Sequence, residues 1–364
     1  IIFLLCNCWT LCILANDGDF MGSGSNLIPI TDSSIAVQKE ILKITRVEND
    51  FVEVDVYYEF YNDGDAKEML IGFEAMSPSG DVGTLPVNER HPYISDFTVI
   101  VNRQSIAYKV AKVRDSVYFT NGVFNEIASD DYELSDNIQY VDFFYVYHFT
   151  CKMKQGVNIV KHTYRQELSS SVMENYSFDY VLSAASRWQG GLIQDFTLIL
   201  DFGKFQEFNV NTTFFKNEAN WQCLDGFCMF TLYKDSLPEY MSPHLNCILE
   251  KGSLVFKQKE FVPKGELHVV SYSYAYFSGN SFNYLEDRLP YSLEMLQFLD
   301  TPEDLKSVTI LRNLPFARRG CVFKTDYIQE YFERQVWYKR NDSYEAKMES
   351  LTQEETEWVL NWSE

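Results

Sequence analysis

The sequence predicts a β-rich chain closed by a small helical unit. An antiparallel β-sandwich region, one sandwich or two in tandem, is followed by a C-terminal helical domain. Three observations predict this. Aromatic residues make up 16% of the 364 residues, with 28 Phe and 24 Tyr against 10 Pro, and such side chains favour the pleated, half-buried surface of strands. From Asn26 to about Gly279, apolar and polar residues alternate in short runs parted by Gly, Asn and Asp, the pattern of strands with one wet face. Near residue 280 the spacing becomes helical.

The first fifteen residues, Ile1 to Ala15, are almost wholly apolar. They are too short to span a bilayer and suit the core of a secretory signal, with Ile13-Leu-Ala15 as a cleavage site. Without an initiator Met or a basic start, this signal is expected to lack its first residues. Residues 16–26 follow as a polar linker. Cys6, Cys8 and Cys12 lie in the signal, none preceded by the small residue of a lipoprotein site, so a lipid anchor is not favoured. No run of about 18 apolar residues occurs, so no membrane span is expected.

The β-sandwich region is expected over 27–280, with any division near 150. Phe51 to Phe60 puts Val52, Val54, Val56, Tyr58 and Phe60 on one face and Glu53, Asp55, Tyr57 and Glu59 on the other. Asn62-Asp-Gly-Asp65 reads as a turn ending that strand, not a calcium loop, because the bidentate Glu is missing. Acidic Asn125 to Asp136 reads as an exposed loop. Phe196, Leu198 and Leu200 point inward from a strand at 195–201. Glu266 to Phe277 reads as one strand carrying His268, Val270, Tyr272, Tyr274 and Tyr276 on one side.

Cys223-Leu-Asp-Gly-Phe-Cys228 reads as a two-residue hairpin. Asp225-Gly226 is a type I′ turn signal, which would set Cys223 opposite Cys228 at a separation a disulfide can bridge. Two free thiols or a metal site are the alternatives, and no His lies near enough to complete a metal set. Among Cys151, Cys247 and Cys321, the odd thiol is expected at Cys321.

The helical domain is expected over 281–364. Thr301-Pro302-Glu303-Asp304 reads as a helix start with Thr301 as N-cap, and Gly320 as the residue closing it. Thr325-Asp326 begins a second helix with Ile328, Tyr331 and Phe332 on one face. Thr352-Gln-Glu-Glu355 is a capping box before a third helix carrying Trp358, Val359 and Trp362.

Leu311-Arg-Asn-Leu-Pro-Phe-Ala-Arg-Arg-Gly-Cys-Val-Phe323 resembles the signature of the YARHG domain. Ile328-Gln-Glu-Tyr-Phe332 with Trp337-Tyr338 resembles its second block, and Leu351 and Glu355 its closing helix. Here Phe316 stands for the motif's Tyr, Arg319 for its His and Pro315 for an aliphatic residue. The resemblance implies an extracellular or periplasmic bacterial domain at the end of an envelope protein, linked to the peptidoglycan layer and without a catalytic role. The region from Leu27 to Ser273 also resembles an uncharacterised secreted bacterial domain, through Tyr58-Glu-Phe-Tyr-Asn62, Trp188 to Phe196 and Phe261 to Leu267.

The chain carries a formal charge of -21, which repels a phosphate backbone, so nucleic acid is not expected as a partner. Against that charge, Lys306, Arg312, Arg318, Arg319 and Lys324 form a stretch without an acid. One reading makes these arginines structural, with Arg312 packed under Tyr331 and Trp337 and paired to Glu330 or Glu355. The other makes Arg312, Arg318, Arg319 and Lys324, with an exposed Trp337 and Tyr338, a contact for an anionic or glycan partner. The five histidines, His91, His148, His162, His244 and His268, form no metal or nucleophile motif, and Ser169-Ser-Ser171 reads as a turn. No cofactor or metal is expected. The chain is expected to be a secreted, non-enzymatic binding or scaffold protein of the cell envelope, meeting peptidoglycan or an envelope protein through its C-terminal domain. The alternative is a cell-wall hydrolase or amidase whose site is assembled from distant residues.

Overall fold

The structure, a computed structural model, describes residues 18–31, 34–128, 141–234 and 242–363. The expected signal segment, its three cysteines and most of the acidic loop after Asn125 lie outside the described residues.

The chain is mostly antiparallel β, with its helices gathered at the C-terminus. A four-stranded sheet runs in the order β1 (Leu27–Pro29), β4 (Lys67–Ala75), β7 (Phe144–Met153), β6 (Lys109–Val113). The longer sheet runs β9 (Glu174–Val181), β14 (Leu267–Tyr272), β11 (Gln206–Asn211), β13 (His244–Phe261), β10 (Ile193–Asp201), β2 (Ala36–Val47), β3 (Phe51–Asn62), β8 (Gly156–Glu167), β5 (Ile94–Val101), with β12 (Trp221–Tyr233) along β13. The alternation in β3 holds: Val52, Val54, Val56, Tyr58 and Phe60 are buried, Glu53 and Asp55 exposed. One core runs from Leu27 to Val269. Residue 150 falls inside β7, whose two edges pair β4 and β6.

Three readings of the chain before the helical unit are corrected. First, the polar segment around residue 25 is no linker: Met21 to Ile28 are all buried. Its backbone is satisfied by the body, with Met76 N–H donating to Ser23 O at 2.8 Å and Gln166 Nε2 to Gly22 O at 2.7 Å. Small residues are needed because the approach is close: a Cβ on Gly24 would stand 2.4 Å from the Tyr164 hydroxyl. Second, Asp225-Gly226 does not reverse the chain. Cys223 pairs with Leu254 and Cys228 with Leu249, so both cysteines lie along one strand against β13. Their Cα atoms are 5.9 Å apart and the disulfide is formed, whereas five extended residues would span about 16 Å. The paired ribbon therefore bends sharply here. β13 bends with it, pairing β11 through its first residues and β10 through its last. Third, the strand expected over 266–277 ends at Tyr272, and a short helix α1 (Tyr274–Ser278) follows.

The helical unit forms a second core around Leu311, Leu314, Tyr331, Phe332 and Trp337, which also takes in Ile248 from β13. Helix α2 (Leu305–Ala317) is capped by Asp304, not Thr301: its carboxylate accepts from Lys306 N and Ser307 N at 3.0 and 2.9 Å. An ionised carboxylate at that position outcompetes a hydroxyl placed three residues earlier. Helix α3 (Asp326–Glu333) starts at Thr325, and α4 (Gln353–Asn361) has the expected capping box. Cys151, Cys247 and Cys321 are all free, buried thiols. No helix among the described residues is long and apolar enough to cross a membrane.

Candidate functional site

The basic stretch is divided by the fold. Arg318 and Arg319, immediately after α2, turn inward onto Glu355 of α4. Arg318 Nη2 donates to Glu355 Oε1, and Arg319 places Nη1 and Nη2 at 2.7 and 2.6 Å from the two Glu355 oxygens. Arg318 Nη1 also donates to Tyr291 O at 3.1 Å. Both guanidinium groups lie over the Phe205 ring of the β body, at 4.4 and 4.6 Å. Burial alone would raise the Glu355 carboxyl, but the Arg319 hydrogen bond and the Arg318 charge hold it below the usual carboxylate range. Two cations meeting one buried acid form a structural clamp. Glu355 thus pairs with Arg318 and Arg319 rather than Arg312. Arg312 is half-buried and Lys324 exposed, and neither joins the clamp.

The expectation of an exposed Trp337 is corrected. It is buried, and its Nε1 donates to Leu289 O at 3.2 Å. Tyr338 is half-buried; its hydroxyl donates to Cys321 O at 2.7 Å and accepts from Gln329 Nε2 at 3.1 Å. Tyr and Trp bury well when the polar atom finds a backbone partner, and both have done so.

Trp337 instead forms part of one wall of a cleft of about 400 Å³ at the seam between the β body and the helical unit. The body contributes Glu207, Asn209, Tyr233, His244 and Asn246; the C-terminal segments add Tyr274, Arg288 and Gln335. Glu207 Oε2 accepts from Tyr291 N at 2.6 Å, and Oε1 from Asn246 Nδ2 at 3.2 Å. Burial raises the Glu207 carboxyl against these two donors. The Tyr274 hydroxyl is buried without a hydrogen-bond partner; Ser278 and Asp287 influence its ionisation without meeting it in hydrogen-bond geometry. These residues escaped sequence reasoning because they come from separate segments. The one available signal was the polar face of β11, Glu207 and Asn209, which the helical unit then covers.

A second, smaller cleft holds the one acid–base pair near the serine run. His268 Nδ1 meets Asp179 Oδ1 at 3.0 Å, beside Ser169, Ser170, Ser171 and Ser177. Burial lowers the His268 ring, but the Asp179 hydrogen bond and charge raise it further. Among the described residues no serine hydroxyl hydrogen-bonds the other ring nitrogen. Nor do three His, Cys, Asp or Glu side chains gather there as metal ligands.

Among solved structures, the chain is similar to a Legionella pneumophila protein provisionally described as nutrient binding, with a TM-score of 0.50, 17% identity, and coverage of 95% of this chain and 98% of that one. This likeness is one of fold. A variant of an M1 zinc metallopeptidase from Deinococcus radiodurans scores 0.27 at 12% identity over 65% of this chain and 42% of that one. Baculovirus P35 scores 0.26 at 13% identity, over 65% and 97%. Scores this low bear on neither fold nor chemistry here. No curated protein sequence matches the chain. Residues 289–363 match the YARHG domain family, a stretch that spans α2, α3, α4, the Glu355 clamp and the Trp337 wall of the cleft, so the C-terminal unit is similar to that domain.

Proposed function

We propose that the protein is an exported, non-enzymatic binding protein of the bacterial cell envelope, with its ligand held in the seam cleft between the β body and the YARHG domain. The observation that carries this is the cleft itself. It is walled by both units and contains a buried hydroxyl, that of Tyr274, which has Ser278 and Asp287 beside it but makes no hydrogen bond within the protein. Such a group costs stability unless a ligand or water completes it. The YARHG match, the Cys223–Cys228 disulfide and the fold shared with a protein described as nutrient binding support the exported, binding reading. Lys306, Arg312 and Lys324 are the members of the basic stretch left for an anionic polymer such as peptidoglycan.

The test is retention of the full chain on purified sacculi and on envelope extract at two salt concentrations. Saturable retention on either supports the proposal, and none on both at low salt overturns it. The His268–Asp179 pair keeps a hydrolase as the second reading. Clearing of a sacculus suspension that is lost in His268→Ala would replace the binding reading with that one.

A further inference from the structure

We infer that the seam cleft is a saccharide site, taking a pyranose ring that carries a carboxylate. This deepens the binding reading above and rests on it.

A carboxylate in a pocket usually marks a cationic ligand, but Glu207 is already engaged. Each oxygen accepts a hydrogen bond from the protein, one from the Tyr291 backbone and one from Asn246. A carboxylate used as an internal acceptor positions Asn246 rather than awaiting an amine.

What remains open is neutral. The Tyr274 hydroxyl can both donate and accept. His244 commits Nδ1 to Ser242 O at 2.9 Å, so Nδ1 carries the proton and Nε2 is left as an acceptor. Asn209 accepts from Asn246 Nδ2 at 3.1 Å through Oδ1, which keeps its own NH₂ free to donate. Donors and acceptors alternating around a small cleft match the hydroxyls of a sugar ring, each of which also does both.

The walls suit the rest of such a ring. Tyr233 is 45% exposed and stacks on His244 with centroids 5.4 Å apart, offering a flat surface to the apolar C–H face of a pyranose. Trp337, fixed edge-on to Tyr291 at 5.4 Å, backs the cleft. Arg288 is exposed, lines the cleft and has no partner among the described residues. Guanidinium groups bind carboxylates in paired hydrogen bonds, so Arg288 selects an acidic over a neutral sugar.

The experiment is calorimetric titration of the full chain with glucuronate, glucose and the amino acid arginine. Glucuronate is expected to bind at least about tenfold more tightly than glucose. Arg288→Ala should erase that preference while leaving glucose binding in place. Tyr274→Phe removes a hydroxyl with no partner in the free protein, so its melting temperature should stay level or rise, while glucuronate affinity falls roughly three- to tenfold. No heat from either sugar at about 10 mM, tighter binding of arginine than of glucuronate, or an unchanged sugar preference in Arg288→Ala each overturns the inference. Retention on sacculi without sugar binding sinks this inference alone. Sugar binding without retention on any envelope material sinks the envelope reading alone.

Discussion

Glu40, on β2, has both carboxylate oxygens buried and without a partner, and burial raises its pKa to about 8. The unfolded chain ionises this group more readily, so its contribution is fullest below the ordinary carboxylate value of 4.5 and is lost as pH rises towards 8. His162 and His91 act in the opposite sense: burial lowers them to about 3 and about 4 from 6.5. Their contribution is present above 6.5 and lost as pH falls through the folded values. Above pH 6.5 Glu40 therefore dominates, joined by His268, which Asp179 holds above 6.5 against the pull of burial. Urea denaturation should show stability falling between pH 6.5 and 8 by an amount on the order of a few kcal/mol, and Glu40→Gln should flatten most of that fall. An unchanged slope in the variant would show that Glu40 is not the titrating group. Glu355 is the converse case, a buried acid with two cations on it. Glu355→Ala strands Arg318 as a buried charge, and about 3–5 kcal/mol should be lost, whereas exposed Lys324→Ala should stay within about 0.5 kcal/mol. Similar melting temperatures for the two variants would remove the clamp as a structural feature.

At the scale of elements, strands and helix starts were legible where a local rule decides them. Phe51 to Phe60 alternates because one face is wet, and Thr352 with Glu355 forms a capping box because both partners lie within one turn. Reading failed where the deciding partner is distant. Asp225-Gly226 carries correct hairpin chemistry, yet β13 runs past it and bends with it, and a Cβ on Gly226 would stand 1.9 Å from Lys251 O. Met21 to Asn26 read as part of a linker because Gly, Ser and Asn carry no burial signal of their own. Trp337 reads as exposed because the carbonyl that holds it lies 48 positions away, and Arg318 reads equally as structural or as a contact because its acid lies 37 positions away. The bent ribbon is closed by a covalent link. Its disulfide closes a short loop, so removing it should cost roughly 2 kcal/mol by the chain-entropy estimate. The bend also sets Phe227 under Lys339 of the helical unit, 3.7 Å from ring to ammonium. Cys223→Ala/Cys228→Ala should therefore lower the denaturation midpoint and also raise hydrogen exchange around Lys339. Exchange confined to β12 and β13 would separate the bend from the helical unit.

The two units meet across more than that one contact. Arg46 of β2 holds Glu294 with hydrogen bonds of 2.8 and 2.5 Å, donates also to Gln206 Oε1 at 3.2 Å, and lies over the Tyr176 ring at 3.9 Å. Its side chain is 5% exposed and that of Glu294 15%, so solvent screens this pair little. Glu207 receives the Tyr291 backbone, Phe205 lies beneath Arg318 and Arg319, and Ile248 enters the second core. A seam built from a buried ion pair, a carboxylate acceptor and shared apolar packing should couple the units, so that neither unfolds while the other stays native. Scanning calorimetry of the full chain should then give one transition with equal calorimetric and van't Hoff enthalpies. Arg46→Ala leaves Glu294 largely buried and unpaired, at a cost of about 3–5 kcal/mol. Because that loss falls on the seam, the helical unit should melt first and the single transition should split. Two transitions in the unmodified chain would mean the units are docked but independent. The cleft exists only while they are docked, so a ligand bound there should raise the single melting temperature of the whole molecule and leave the early transition of Arg46→Ala unmoved.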